Sequence, residues 1–540
     1  MPMTKADREF RLSKISYLDF KHVEMDRVLT ALFARLQHNG RPSRLTRSIE
    51  LKTEAVVDEM IERSEQFVGF GRHRDVVTRW VETHLMDVVN RGKSTQAIAA
   101  PRPLHGFTYR FRNPRHSRDY GTAQQIYEML YNARGGAGQN AITALQNFFF
   151  QGYDRVANRI DSSVPIDVET QALLVLLNQR SDAPDTSRMD RHPPLCRGAA
   201  DLLADDVLRL LFYRRFIPSS VMVEYLKVLF AFHLALYHLR LLKLLPTLVA
   251  RHGRGDTCAK CQRGADDPLG DCEFQVGLVI DVAGKPGTAM ARLAERSADF
   301  HYRRIPGFIK AYFAARKLDE FGTELARRGK LSMPPGGLPL SQVLGLLAPA
   351  YAEERERFFG RRVYGLLETA GGADEAAVDE EMSAISELGL SEFDTYIEMI
   401  LSARSRFHRR YLTECLDSLL LKNRPGALVT QPRVRNGMRR FVLDSRLLEV
   451  LLQIAVLRPG GALGYHTGEL RVDELLGVLR SRYGLYIDRL PAGDGFGEAS
   501  IADHAALREN AAAFTSRLRE IGFYRDLSDA YVTQTVAPDR

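Results

Sequence analysis

Cysteine is scarce in this chain of 540 residues, and no short catalytic signature stands out in it. Five cysteines occur, an odd number, with three of them crowded between Cys258 and Cys272. That distribution excludes a disulfide framework and points to a reducing compartment. The opening MPMTKADREFRLSK lacks the apolar h-region of a signal peptide. No uninterrupted apolar run reaches the ~18 residues of a bilayer span, so the expectation is a cytoplasmic protein without a membrane partner. H-E-x-x-H patterns and a Ser/His/Asp set are missing too. The glycine-rich RGGAGQNA, Arg134–Ala141, lacks the Lys and Ser/Thr of a Walker loop and reads as an interhelical turn.

What is present is an ordinary folded composition, 45% hydrophobic and 26% charged. That is ample for a core, and the length predicts three or four domains at ~100–200 residues each. The charge is +8 overall but unevenly spread. Glu368–Glu398 holds ten acidic residues and no Lys or Arg, whereas Arg404–Arg446 holds eleven Lys or Arg against Glu414, Asp417 and Asp444. Opposed blocks this close suggest either a surface that selects partners by charge or two solvated helix faces.

The centre of the chain is the stretch Val221–Val282. A long apolar segment up to Pro246 is too long for a strand, and Glu224, Lys227, His233, His238, Arg240 and Lys243 make it too ionisable for a lipid span. It reads as the central helix of a core. It ends in Cys258, Cys261 and Cys272, spaced C-x2-C-x10-C, and then in the β-branched strand VGLVIDV. A C-x2-C turn lets two thiolates reach one zinc ion, with His252, His301 or Cys196 as the fourth ligand. Unligated thiols and a catalytic metal are the alternatives; a structural zinc held by Cys258, Cys261, Cys272 and His252 is the expectation. DVAGK, Asp281–Lys285, is like the acid-then-lysine element of some metal-dependent nucleases. Such a centre needs several carboxylates around a cation, and no convincing second acidic element accompanies it.

The spacing of Met25, Val28, Leu29, Leu32, Phe33 and Leu36 predicts an amphipathic helix, followed by helices around 54–66 and 74–90. Residues 1–92 form one helical unit and 93–180 a second. The second opens on a segment in which Arg110, Arg112 and Arg115 interleave with Phe107, Tyr109 and Phe111. Arginine with aromatics suits phosphates and unstacked bases, or else a solvated hairpin. A polar linker leads to a central domain at 199–330, another to 341–422. The basic linker after that carries Arg433, Arg435, Arg439 and Arg440. In 437–540 the order helix, turn, helix, strand, glycine-rich loop is that of a winged helix, with Arg480 and Arg482 on the second helix. Its mixed face, Asp473 and Glu474 beside the arginines, favours sequence-tolerant phosphate contact over base reading. The fold class expected is mainly α and multidomain: helical bundles, a small zinc-hook and strand insertion, and a winged-helix-like C-terminal domain.

Three stretches, Lys14–Gln37, Asp271–Phe321 and Leu518–Pro538, resemble accessory proteins of bacterial multi-gene phage-defence loci. The methylation-associated defence system is the closest kind. The resemblance implies a non-enzymatic subunit working beside a methyltransferase, a kinase and ATPases, and it carries over no catalytic residue. The function expected is a scaffold that contacts partner subunits and the DNA backbone; the alternative is a metal-dependent nuclease with an unrecognised site.

Overall fold

A computed structural model describes residues 3–44, 51–155, 159–160, 168–173, 183–187, 189, 191–252, 272–369, 376–435, 437–460, 464–526 and 534–536. The architecture is mainly helical, with many helices and few short strands. Its axis is the helix Ser219–Ala250, which is apolar all round and is enclosed on every side, as that pattern demands. Helices Ile305–Arg327, Arg197–Phe212, Ser445–Ala455, Glu392–Leu419 and Met25–Gln37 pack against it. The helix runs on through Pro246 for one more turn. The proline there costs the helix one N–H, the donor that would have met the Leu242 carbonyl.

The polar side chains of this axis are met by specific partners. Lys227 pairs with Asp26 at 2.7 Å, Tyr225 donates to Glu449, and His233 bonds Asp206 at 2.8 Å. Tyr237 donates to the Ile15 carbonyl, and His238 lies 3.1 Å from the Ser16 hydroxyl. Arg240 differs: it is buried, yet its Nε and Nη2 have no hydrogen-bond partner.

The chain's two ends are laced into its middle. Before the helix Met25–Gln37, the backbone of Leu12 exchanges two hydrogen bonds with the Tyr312 hydroxyl. Phe10 stacks on Tyr312 and on His408, and Tyr396 donates to Asp7 at 2.5 Å. One hydrophobic cluster accordingly runs from Met3 to Leu518, crossing the boundaries expected near 92, 199, 330 and 437. A smaller cluster joins Val56, Met60, Val81, Leu85, Phe107 and Leu173.

At the C-terminal end, helices Ser445–Ala455 and Val472–Val478 are separated by the hairpin Leu457–Pro459/Tyr465–Thr467. A π-helical turn, Leu479–Tyr483, leads into Leu485–Tyr486, which pairs in parallel with Leu278–Val279. Leu485–Tyr486 is thus joined to the strand of the central segment, while Leu470–Arg471, Gln534–Val536 and Tyr524–Asp526 form a separate antiparallel sheet in that order. Asn510, on the helix Ile501–Glu520, seals the junction by donating to the carbonyls of Ile280 and Ile487 and accepting from the Val282 amide.

Candidate nucleic-acid interface

The basic block is carried by the helix Glu392–Leu419 and the loop beyond it. Ser391 caps the helix by accepting from the Asp394 amide, and Glu392 and Asp394 stabilise the positive end of its dipole. Phe393, Tyr396, Ile397, Ile400, Leu412, Cys415 and Leu416 turn inward. The outward side offers Arg406, Phe407, Arg409 and Arg410. The Arg404 guanidinium lies 4.4 Å from the Phe407 ring, and Phe407 and Tyr411 are 4.6 Å apart. His408 faces the core, where burial pushes its pKa down to about 4, so it adds no charge at neutral pH.

The helix is ended by Leu421 and Asn423, both in left-handed backbone conformations. The Asn423 carboxamide accepts from the Gln431 amide and donates to the Gln431 carbonyl. That clamp sets up the antiparallel pair Val429–Thr430/Arg440–Phe441 and makes the intervening stretch a projecting loop. Asp417 is its second anchor. It receives two 2.8 Å bonds from Arg439, a 2.7 Å bond from the Tyr302 hydroxyl, and a bond from Lys422. Burial works against ionisation there, yet Arg439 and Lys422 hold the carboxyl below its ordinary range. Nearby, Arg424 grips Glu24 at 2.6 and 3.0 Å.

These anchors border a cleft of about 530 Å³ lined by His22, Glu414, Asp417, Lys422, Arg424, Gln431 and Arg433. Arg406 and Arg410 stand on the same helix face as Glu414 and Asp417, by the i, i+4, i+8, i+11 spacing. Arg406, Arg409, Arg433 and Arg435 are exposed, and among the described residues none of the four makes an ion pair. Two of these unneutralised guanidiniums stand on the helix near Phe407 and two on the loop that follows, and each is able to meet a phosphate.

The other arginines singled out from sequence are deployed differently. Arg440 is buried, with its Nε 3.3 Å from Asp281 and its Nη2 donating to the Gly284 carbonyl. Arg439 is committed to Asp417. Arg480 bonds Asp488 at 2.5 Å. Arg482 is locked between Asp205 and Asp206, where Tyr483 also donates to Asp206 at 2.9 Å. Burial opposes ionisation of Asp206, but Arg482 and His233 hold it at about 2. In the first basic segment Phe107, Tyr109 and Phe111 are core residues of a short turn, and Arg110 is buried beside Tyr153, to which it donates at 2.7 Å. Arg112 donates to the Tyr109 carbonyl, while Arg115 is exposed. The doublet Asp205–Asp206, set among the leucines of its helix, was the available signal that cations would be drawn inward; two buried carboxylates require them.

Of the proposed zinc ligands, Cys258 and Cys261 lie outside the described residues. Cys272 is buried and His252, in a left-handed conformation, is exposed. His301 is buried, with Nε2 3.0 Å from the Gly277 carbonyl and Nδ1 3.1 Å from Arg304; Cys196 is buried as well. Among the described residues no three His, Cys, Asp or Glu side chains gather as a metal site. Asp281 is enclosed, accepting from the Gly284 amide at 2.9 Å and facing Arg440.

A family model described as methylation-associated defense system protein MAD7 matches residues 5–539. No curated protein matches the chain.

Proposed function

Since the chain belongs to the family of methylation-associated defense system protein MAD7, and is thereby a defence-system component, we propose that it serves there as a non-enzymatic scaffold. In this reading it holds duplex DNA by its phosphates and partner subunits by its remaining faces. The carrying observation is the set Arg406, Arg409, Arg433 and Arg435, exposed and without an ion pair among the described residues, with Arg433 lining the cleft built by Asp417. Arg410, Arg424, Arg439 and Arg440 are taken up by this chain's own carboxylates, whereas these four carry charge left for a partner. A surface of guanidiniums without a base-reading helix binds sequence-tolerantly, and methylated and unmethylated duplexes should be retained alike.

The test is a mobility shift with full-length protein at several salt concentrations. Four neutralised phosphates give a slope of about 3.6 log units of affinity per tenfold change in salt. Arg406→Glu, Arg409→Glu, Arg433→Glu and Arg435→Glu combined should abolish retention while the circular dichroism spectrum and elution volume stay unchanged. Retention that persists in the quadruple variant would sink the proposal. A change of oligomeric state with DNA retention intact would instead assign the set to the acidic stretch Glu368–Glu398 of a second copy.

The cysteine segment is proposed as a structural zinc clip in a reducing cytoplasm. The C-x2-C-x10-C spacing supports this, as does the burial of Cys272, which brings one end of the segment against the core.

A further inference from the structure

A second cavity, of about 620 Å³, opens between the C-terminal end of the helix Arg197–Phe212 and the hairpin Leu457–Pro459/Tyr465–Thr467. It is lined by Asp205, Arg209, Phe212, Arg214, Arg215 and Tyr465, among others. Its floor is rigid. Arg209 is buried, bonds Asp205 at 2.7 Å, donates to the Leu457 carbonyl at 2.8 Å, and lies 5.4 Å from the Tyr465 ring centre. Phe212 meets Tyr465 edge to face at 5.9 Å. The helix stops just there, and a single tight turn, Tyr213–Arg215, throws Arg214 and Arg215 out to the rim, where both are exposed. Among the described residues neither is paired with a carboxylate.

We propose that this cavity binds a nucleoside phosphate. Two rim guanidiniums in fixed succession suit a phosphate or pyrophosphate, which they can chelate through planar N–H pairs. The Phe212–Tyr465 corner, held by Arg209, presents an aromatic face on which a base can stack. Asp205, whose Oδ2 binds Arg209, supplies an acceptor for an amino or ring N–H group of that base. The volume lies within the roughly 300–1,000 Å³ of small-molecule sites. Phosphate alone would make no use of the aromatic corner, and a neutral base would leave the rim charges unmet, so a ligand carrying both is the one that fits. The cavity is also joined to the interior, because Asp205 shares Arg482 with Asp206.

Isothermal titration of the full chain with AMP, ADP, ATP and GTP, with adenosine and inorganic phosphate as controls, tests this. At least one nucleotide should bind with a dissociation constant of roughly 1–100 μM, and the two controls at least about tenfold more weakly. Arg214→Glu/Arg215→Glu, both on the surface, should weaken binding at least about tenfold, and Tyr465→Leu should weaken nucleotide binding while leaving any phosphate binding unchanged. Thermal melts establish that each variant folds. Absence of binding by every nucleotide at about 1 mM overturns the proposal. So does binding that is indifferent to both variants, or binding of phosphate as tight as that of nucleotide. Competition by single-stranded DNA with no binding of mononucleotides would overturn it too, and assign the cavity to a strand end instead.

Discussion

Replacing Arg440 by Met should damage the fold and spare DNA binding. Arg440 is buried, faces the enclosed carboxylate of Asp281 across 3.3 Å, and also donates to the Gly284 carbonyl. Its Nε and Asp281 Oδ2 approach without forming a hydrogen bond, so the pair is held by charge alone. At an effective dielectric constant near 20, two unit charges at this separation attract by about 5 kcal/mol. Removing one partner of a buried pair costs on the order of 3–5 kcal/mol, because the other is left desolvated and unmet. Arg440→Met should therefore lower the unfolding free energy by about 3–5 kcal/mol, read from urea titrations followed by circular dichroism. Asp281→Asn alone should also destabilise, since it strands Arg440. The double variant Asp281→Asn/Arg440→Met should recover about 2 kcal/mol or more relative to the sum of the singles. It removes both charges, and the carboxamide oxygen that replaces the Asp281 carboxylate can still accept from the Gly284 amide. Folded protein should keep the DNA affinity of the parent. A single variant within about 0.5 kcal/mol of the parent, or a double variant that merely adds, would refute the reasoning.

Acid should loosen the core through its histidines. Burial lowers the pKa of His238 and of His301 to about 4, so the folded chain binds their protons only near that pH, whereas the unfolded chain binds them below about 6.5. Stability should fall as pH drops from about 6.5 towards 4, by on the order of 3 kcal/mol for each histidine. His301→Gln should flatten part of that slope in urea titrations; a profile unaffected by it would count against the assignment. Arg240→Met should raise stability by about 1–3 kcal/mol, since it removes buried donors that lack partners; a loss in the melting temperature would contradict this. Cys258→Ser should reduce bound zinc from about one ion per chain and lower the melting temperature, as measured by elemental analysis and calorimetry. A metal-free parent protein would remove that expectation.

The mainly helical class and the central helix were legible because they rest on local periodicity. Met25, Val28, Leu29, Leu32, Phe33 and Leu36 are all buried, as their spacing requires. The run from Met222 to Leu248, apolar on all sides but with ionisable residues scattered along it, fits an enclosed helix with internal polar partners. Which arginines would remain outside was not legible. Arg439 and Arg433 look alike in the sequence, and what separates them is a carboxylate brought up by the fold: Asp417 meets the first, and among the described residues none meets the second. The same holds for Arg482, whose partners Asp205 and Asp206 are distant along the chain. The aromatics of the segment 101–121 show the converse failure. Phe107, Tyr109 and Phe111 alternate with arginine as a stacking platform would, but a tight turn directs them inward, Tyr109 into the main core and Phe107 and Phe111 into the smaller cluster. Alternation reports a face only where the backbone is extended.

The seam sealed by Asn510 bears on how the chain is made. Its hydrogen bonds to the Val282 amide and the Ile280 carbonyl span 228 and 230 residues of sequence. A ribosome adding about 5–20 residues per second needs roughly ten seconds or more to close that gap. Early in this interval the nascent chain contains Ser219–Ala250, the most apolar helix among the described residues, without the helices Ile305–Arg327, Glu392–Leu419 and Ser445–Ala455 that will cover it. Such an exposed intermediate is a natural client for a chaperone, or for a partner subunit translated alongside it.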